Sequence, residues 1–365
     1  MTTVSSSHEA LGATRTRSQR APCVETLTSS EYAAWDDYVE HHEDANLYHL
    51  RAWKEVAENA YHLEAPFLVS RDRAGGPVRG ALPLFRIPRP FASYLTNGLF
   101  GAYGRLLSDD DEHARALLAA ACEHVAARRV DFIHLKLLGQ IPPRTPLVRR
   151  DHWITALLDL APTVEAHWKG LSRNMRWAVR HAERAGLVAI RGRNELDAFY
   201  DVLSENMLRK GTPIYGHGFF EALSRAFGAR ADVLTLREGD RTVSGAYLVS
   251  YRGVMYVPFA SSRPAAFSLR ANNLLFWEIA KLAIETGHHT LDLGSSLRDS
   301  SGFEFKRGWH PRVEPIGSYV HSRVGTTAPL LPTESAVARG TVRVWSRLPG
   351  SVAERLGPLA CRWIA

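Results

Sequence analysis

The chain has 365 residues, 45% of them hydrophobic and 23% charged, a mixture that suits one or two globular domains and favours two. No apolar run approaches the ~20 residues that cross a bilayer. The first residues are polar and basic, without the apolar stretch of a secretory signal. We therefore expect a cytoplasmic protein whose residues 1–22 form a disordered leader.

The charge balance is basic, with a formal net charge of +7 that favours an anionic partner such as RNA, a phosphate or a membrane surface. Cys23, Cys122 and Cys361 are too far apart to indicate a disulfide framework or a zinc site. The adjacent histidines at 41–42 and 288–289 lack a third ligand at metal spacing. We therefore predict no metal site.

The two halves of the chain repeat one order of elements. Helical patterning covers residues 25–60, two strands follow over 66–84, and a helix over 114–128 leads into a strand over 130–135. The second half has the same order: helices over 196–208 and 219–227, strands over 233–237, 243–249 and 254–259, a helix over 272–285 and a strand over 290–293. This repetition indicates an internal duplication.

The duplication predicts a mixed α/β fold of two tandem domains, each a mostly antiparallel sheet flanked by helices. We place an N-terminal domain at 23–152, a C-terminal domain with the active site at 153–322, and a tail at 323–365. A linker rich in Pro and Arg is expected over 141–152. The strand predicted over 153–160 either completes the first domain or begins the second.

Residues 168–187 are predicted to form one amphipathic helix. Its apolar face comprises Trp168, Leu171, Met175, Ala178, Val179 and Ala182, and its basic face comprises Lys169, Arg173, Arg176, Arg180 and Arg184. Stacked like charges repel, so a bound anion would stabilise this helix. Two interpretations stay open: a solvated helix face, or a site for a phosphate or a nucleic-acid backbone.

Several segments resemble the Fem-type (FemAB-related) aminoacyltransferases of the GNAT acetyltransferase superfamily. The segments are Leu171–Leu187, Gly211–Tyr215, Ala260–Ser262, Asn272–Glu278 and, most closely, Leu291–Trp309. The tail over 344–358 resembles the branch associated with exosortase (PEP-CTERM) and exopolysaccharide gene clusters. The resemblance covers residues 30–360. It implies two GNAT-like domains and transfer of an amino acid from aminoacyl-tRNA to an amine.

The resemblance also implies two catalytic residues. Lys306 matches a family lysine near the reacting groups, where a fixed ammonium would stabilise the oxyanion that aminolysis creates. Tyr256 lies on the strand that borders the acyl site, and its hydroxyl would donate to the leaving group. The structural alternatives are a lysine that caps a loop and a tyrosine of the core.

Seven further residues are predicted to bind substrate: Arg176, Arg180, Tyr215, Ser261, Asn273, Asp292 and Phe305. Asn272 and Asn273 fit helix N-cap chemistry at least as well. Asp292, at the end of a predicted strand, fits either a ligand contact or a turn. Glu278 and Glu304 are possible general bases, but their predicted placement on a helix and in a loop favours neither, and a substrate-assisted proton transfer is the alternative.

One difference from the superfamily pattern concerns the acyl donor. Coenzyme A enzymes of the superfamily grip pyrophosphate with a glycine-rich sequence where this chain has Arg270-Ala271-Asn272-Asn273. The missing glycines count against acyl-CoA, and the basic helix over 168–187 and the net charge favour aminoacyl-tRNA as co-substrate, with acyl-CoA next. We expect no bound cofactor and no DNA partner.

The predicted function is an N-acyltransferase that transfers an aminoacyl group to an amine of a cell-envelope, polysaccharide or peptide acceptor. The first alternative is an acyl-CoA-dependent N-acetyltransferase. The alternative of another class is a non-catalytic binding module for an anionic polysaccharide or a lipid carrier.

Residues 340–363 are predicted to form a basic amphipathic helix that is broken at Pro349-Gly350. Its apolar residues either pack on the domains or contact the inner face of a membrane peripherally.

Overall fold

The computed structural model describes residues 21–89, 92–99, 101–323 and 342–363. The leader predicted over residues 1–22 lies outside these ranges except for its last two residues. Much of the predicted tail also lies outside them.

The first half alternates short strands with three helices. Its elements are β1 (Cys23–Thr26), α1 (Tyr32–His41), α2 (Ala52–Tyr61), β2 (Leu68–Arg71), β3 (Val78–Leu82), β4 (Phe85–Arg89), β5 (Ala92–Thr96), β6 (Leu107–Ser108), α3 (Asp111–Ala126), β7 (Phe132–Leu138) and β8 (Val148–Asp159). Asp110 fixes the start of α3, because its side chain accepts hydrogen bonds from the N–H groups of Glu112 and His113.

The second half repeats the pattern with longer strands. Its elements are α4 (Val164–Gly170), α5 (Arg173–Arg184), β9 (Leu187–Arg191), α6 (Leu196–Arg209), α7 (His217–Phe227), β10 (Ala231–Glu238), β11 (Arg241–Tyr251), β12 (Val254–Ser262), α8 (Ala271–Glu285), β13 (Thr290–Leu297), α9 (Ser301–Arg307) and β14 (Arg312–Ser322). A last helix, α10 (Gly350–Cys361), follows near the C-terminus.

Two sheets are present in the described residues. The larger has the order β4-β5-β7-β14-β8-β13-β12-β11-β10-β9, and the smaller has the order β1-β2-β3-β6. The predicted mixed α/β fold is confirmed. The strands predicted for the first half are divided between the two sheets: β2 and β3 lie in the smaller sheet, and β7 and β8 continue into the sheet of the second half.

The two halves exchange their last strands. β8 of the first half pairs with β13 of the second, and β14 of the second half pairs with β7 of the first. β8 and β14 also pair with each other at the centre of the sheet. Residues 148–152, predicted as part of a linker, therefore belong to β8, because the edges of β13 and β14 need hydrogen-bond partners.

One apolar core is shared by the two halves on one face of the large sheet. Helix α2 packs on α7 there, with ring centroids 5.3 Å apart between Trp53 and Phe227 and 5.6 Å apart between Tyr61 and Phe219. A second core lies under α5 and α8, and a third lies under α3.

The prediction of a single helix over 168–187 is wrong, because two helices, α4 and α5, cover this range. The chain turns at Leu171, and Ser172 caps α5 by accepting a hydrogen bond from the Met175 N–H at 3.1 Å. The break predicted at Pro349-Gly350 is confirmed, since α10 begins at Gly350.

Candidate functional site

A cleft opens in the second half where β12 and β13 diverge. These parallel strands pair only from Val254 and Thr290 to Tyr256 and Asp292. The register between β11 and β12 shifts just beyond this point, which adds a residue to β12 and bends it away. The opening is a cavity of about 600 Å³. Its described lining is Tyr48, Gly101, Arg209, Lys210, Val257, Pro258, Ala260, Phe267, Asn272, Phe276, Leu293, Gly294, Ser295, Ser301, Gly302, Phe305 and Lys306.

Lys306 reaches into the cleft from α9. Its Nζ donates hydrogen bonds to the carbonyl oxygens of Gly294 at 2.9 Å and Ser295 at 3.1 Å, and to the Ser296 hydroxyl at 2.9 Å. An ammonium has three N–H groups, so all of its donors are used within the chain. Lys306 is therefore held as a fixed positive charge at the end of β13.

Asp292 organises the same strand end from beneath the cleft. Its carboxylate accepts hydrogen bonds from the Gly294 N–H at 2.8 Å, the Tyr103 hydroxyl at 2.5 Å and the Thr155 hydroxyl at 3.4 Å. Gly294 has a φ of +77°, which glycine adopts at low cost. Because Gly294 binds Asp292 through its N–H and Lys306 through its carbonyl, the carboxylate fixes the position of the ammonium.

Burial shifts the pKa values of both charged groups toward neutrality. Burial lowers the pKa of Lys306 to about 8, and the Asp292 carboxylate opposes this change. Burial likewise raises the pKa of Asp292, against the hydrogen bonds from Tyr103 and Gly294. Near neutral pH Lys306 is therefore mainly an ammonium, the form that three oxygen acceptors around Nζ fit.

The corresponding opening in the first half is filled. β5 and β7 also pair over three positions only, and residues 97–99 and 101–105 lie beyond them, with Asn97 and Gly104 bonded to β7. The Asn97 side chain bonds both the N–H and the carbonyl of Lys136, and Gly104 donates to the same carbonyl. This region supplies Gly101 to the lining of the second-half cleft and Tyr103 to Asp292. The first half thus completes the second half's site.

Two exposed cations, Arg209 and Lys210, line the mouth of the cleft at the end of α6. Burial and the charge of Arg209 lower the pKa of Lys210. Within the described ranges neither forms an ion pair with a carboxylate. Phe267, 45% exposed, also lines the mouth. The described lining contains no Asp, Glu or His, so it offers cations but no carboxylate or imidazole base.

Of the predicted site residues, Lys306 and Phe305 line the cleft and Asp292 lies beneath it. Tyr256 is only 5% exposed, its ring packs edge-on against Tyr48, and its hydroxyl accepts from the Leu47 N–H at 3.5 Å. Its side chain belongs to the shared core.

Tyr215, Ser261 and Asn273 lie outside the cleft lining as well. Tyr215 packs in an aromatic cluster with Phe219 and its neighbours. The buried Ser261 hydroxyl accepts from the Asn206 amide at 2.9 Å, and the Asn273 amide donates to a methionine sulfur on α5 at 3.1 Å. Each of these polar groups therefore has a partner inside the fold.

The N-cap role predicted for Asn272 and Asn273 is wrong. Both lie inside the first turn of α8, and the residue before the helix is Arg270, with a left-handed φ of +59°. Asn272 instead lines the cleft and accepts a hydrogen bond from the Ser262 hydroxyl.

The two predicted arginines of α5 differ in role. Arg176 donates from Nη1 to the carbonyl oxygens of Lys169 at 3.0 Å and Leu171 at 2.6 Å, which fixes the corner between α4 and α5. Arg180 is exposed and lies over the Trp168 ring at 5.4 Å. Neither lines the cleft.

The sequence did not indicate Tyr103, Gly101 or Ser296 as site residues. Tyr103 and Gly101 come from the first half, and no local pattern relates them to β13. The Arg209-Lys210 pair was detectable as adjacent cations at the end of a predicted helix.

No group of three His, Cys, Asp or Glu side chains in the described ranges is arranged to hold a metal ion. None of the helices there has the length and apolarity that crossing a bilayer requires.

The family model of the acetyltransferase (GNAT) domain matches residues 169–307. This range contains the cleft-lining strands, α8 and Lys306. No curated protein matches the sequence significantly.

Solved structures of low sequence identity share the fold. FemX is 16% identical with a TM-score of 0.61, over 82% of this chain and 97% of FemX. L-PGS from Bacillus licheniformis is 12% identical with a TM-score of 0.53, over 89% of this chain and 99% of its own. A tandem GNAT protein from the clavulanic acid biosynthesis pathway is 10% identical with a TM-score of 0.52, over 82% of this chain and 98% of its own. The chain therefore has a GNAT-type fold, and these likenesses extend over both halves.

Proposed function

We propose that the chain is an N-acyltransferase whose cleft between β12 and β13 holds an acyl carbonyl under attack by an amine. The observation that carries this proposal is the Lys306 ammonium, fixed in the cleft by three oxygen acceptors at the end of β13. A preorganised cation stabilises the negative charge that develops on the carbonyl oxygen, which lowers the barrier to aminolysis.

In the proposed reaction the acceptor nitrogen forms a bond to the acyl carbon, and the bond from that carbon to the donor oxygen or sulfur breaks. The amine proton leaves with the departing group. Since the described lining contains no carboxylate or imidazole, we propose that the substrates carry this proton transfer themselves. Lys306 stabilises the oxyanion through the electric field of its ammonium, or by a direct hydrogen bond when its bond to the Ser296 hydroxyl breaks.

We propose aminoacyl-tRNA as the donor. The start of α8 has Arg270 in a left-handed conformation and no glycine, unlike the pyrophosphate grip of coenzyme A enzymes. Arg209 and Lys210 offer unpaired positive charge at the cleft mouth. The resemblance to the Fem-type aminoacyltransferases supports a donor of this class, and FemX shares the fold.

For the acceptor we propose an amine of a cell-envelope, polysaccharide or peptide compound, as the resemblance to the exopolysaccharide-associated branch suggests. We further propose a cytoplasmic location with peripheral contact to the inner membrane face through α10. On this view residues 153–322, completed by the first half, carry the activity.

Acyl-CoA is the second candidate donor. Asn272 and Phe276 of α8 line the cleft, so the helix start adjoins the space in which a pyrophosphate would bind. A non-catalytic binding module remains the candidate of another class.

The test is to incubate the protein with labelled aminoacyl-tRNA or labelled acetyl-CoA and a panel of amines, and to follow label in the amine products. Thermal stabilisation by each donor is measured in parallel. We expect stabilisation and transfer with aminoacyl-tRNA. Transfer from acetyl-CoA but not from aminoacyl-tRNA would show that acyl-CoA is the donor. Thermal stabilisation by a donor without transfer from either donor would favour the binding module.

A further inference from the structure

One line of side chains on α5 is basic and aromatic. Arg173, Trp177, Arg180 and Arg184 follow one another at steps of four, three and four residues, so they share one face of the helix. We call them the α5 stripe. At 1.5 Å per residue the stripe is about 16 Å long. All four residues are exposed.

The charges of the α5 stripe are unbalanced within the fold. In the described part of the chain none of its arginines forms an ion pair, and the first turn of α5 has no acidic residue. Some exposed arginines elsewhere have carboxylate partners, such as Arg115 with Asp111 and Arg191 with Asp232. Like charges four residues apart, and cations at a helix N-terminus, both destabilise the helix. An anion along the stripe would remove both costs.

Trp177 is the aromatic member of the stripe and is 51% exposed. The Arg270 guanidinium lies over its ring at 5.5 Å, and the His181 ring is nearly parallel to it at a centroid distance of 5.2 Å. These neighbours restrict the indole and contact the faces of its ring, so a base that stacks there takes the place of the Arg270 guanidinium or of His181. A fixed, exposed indole between arginines is suited to stacking on a nucleic-acid base.

The stripe leads to the cleft. Helix α5 begins beside α8 and α9, since Met175 accepts a hydrogen bond from Asn273 and lies against Gly308, two residues after Lys306. The Arg270 N–H donates to the carbonyl of Phe267, which lines the cleft mouth. Trp177 of the stripe, Arg270 and Phe267 therefore connect α5 to the cleft by direct contacts.

We propose that the α5 stripe binds the single-stranded 3′ end of the donor RNA, with a base stacked on Trp177 and phosphates bound by Arg173, Arg180 and Arg184. This proposal rests on the proposed aminoacyl-tRNA donor. The α5 stripe is less suited to a membrane surface, because it has only one apolar side chain, Trp177, among three arginines. An aromatic ring flanked by cations is typical of single-strand sites.

The experiment measures the binding of two fluorescent RNA hairpins by anisotropy, one with a single-stranded 3′ extension and one blunt. We expect the wild-type protein to prefer the extended hairpin. Trp177→Ala should weaken that complex about tenfold and leave the blunt hairpin nearly unchanged, while Trp177→Phe keeps most of the affinity. Arg180→Ala should weaken the extended hairpin and lower the salt dependence of its binding by roughly one counterion.

Two matched controls separate the stripe from general surface effects. Trp363→Ala removes an indole that is 46% exposed on another surface, and Arg115→Ala removes an exposed arginine that is paired. Both should bind as the wild type does. Melting curves verify that every variant is folded.

Three outcomes would overturn the proposal: equal affinity for the two hairpins, wild-type binding by Trp177→Ala, or binding of anionic vesicles instead of RNA through Trp177. If transfer from aminoacyl-tRNA proceeds but Trp177→Ala is unaffected, the stripe proposal alone fails. If no RNA binds and acetyl-CoA supports transfer, the proposed donor fails with it.

Discussion

Asp292 and Lys306 are linked through the backbone of one glycine. The Gly294 N–H donates to the carboxylate, and the Gly294 carbonyl accepts from the ammonium. The buried anion therefore both positions the strand end that holds Lys306 and favours the charged form of its side chain. The chemistry proposed for the cleft depends on this pair.

Removal of the Lys306 charge should abolish most turnover. Lys306→Ala is expected to lower kcat/KM about a hundredfold, the cost of losing one preorganised charge beside an oxyanion. Lys281→Ala is the control, since that lysine lies on α8 and pairs with Glu278. Transfer kinetics and melting curves test both variants. A folded Lys306→Ala protein with wild-type turnover would contradict the proposed function.

The pH dependence of kcat/KM should reflect the titration of Lys306. The pKa of Lys306 is about 8, so the ammonium is present below that pH and is lost above it. We expect kcat/KM to fall as pH rises through about 8. Lys306→Arg keeps the positive charge at these pH values, so its profile should lack this decrease. A rate that instead rises through pH 8 in the wild type alone would indicate that Lys306 acts as a base.

Asp292→Asn should act on the cleft through Lys306. The amide retains an acceptor for Gly294 but removes the negative charge that raises the pKa of Lys306. The decrease of kcat/KM at alkaline pH should therefore move below pH 8. Loss of melting temperature with an unmoved profile would show that Asp292 only supports the fold.

The left-handed conformation of Gly294 offers a more local test. A Cβ at this position would lie 3.6 Å from the Val257 carbonyl oxygen and 3.9 Å from the Lys306 Nζ, at a φ of +77°. Gly294→Ala should cost about 1–2 kcal/mol of stability and should also lower transfer. Gly287→Ala is the matched control, with a φ of +78° and nothing within 4 Å of the added carbon. Similar stability losses with lower activity only in Gly294→Ala are expected; equal activities would contradict a role for this strand end.

Local periodicity predicts much of the second half. The helix predicted over 272–285 is α8 (Ala271–Glu285), and the helix over 196–208 is α6 (Leu196–Arg209). Helix α6 has one buried face whose spacing can be read directly from the sequence, whereas α8 is buried on most sides and is indicated by its long apolar run. The exchange of β8 and β14 could not be predicted, because it depends on which strand edges are open after both halves have folded.

Part of the candidate site could likewise be predicted from the sequence, and part could not. Lys306 and Phe305 belong to a motif that the resemblance identified, and both line the cleft. Tyr103 contacts Asp292 across 189 residues of sequence, a relationship that no local spacing contains. The sequence places Tyr256 on the correct strand, but its side chain points into the core, since neighbouring residues of a strand face opposite sides.

Helix α10 carries an apolar stripe that should bind membranes. Its inner face is formed by Ala353, Gly357 and Cys361, all buried, whereas its outer face exposes large apolar side chains. These are Val352, Leu356 and Leu359, between 38% and 60% exposed, and Trp363, 46% exposed, follows just after the helix. Exposed arginines at 343, 347 and 355 add attraction to anionic lipids.

We expect the protein to float with vesicles that contain phosphatidylglycerol and to float less with vesicles of phosphatidylcholine alone. Leu359→Ser should lower the bound fraction, because burying one leucine contributes about 1.5–3 kcal/mol. Val188→Ser is the control, since Val188 on β9 is 59% exposed, close to the 60% of Leu359. Equal flotation of the two variants would show that α10 is not the contact surface, and absence of wild-type flotation would remove the proposed membrane contact.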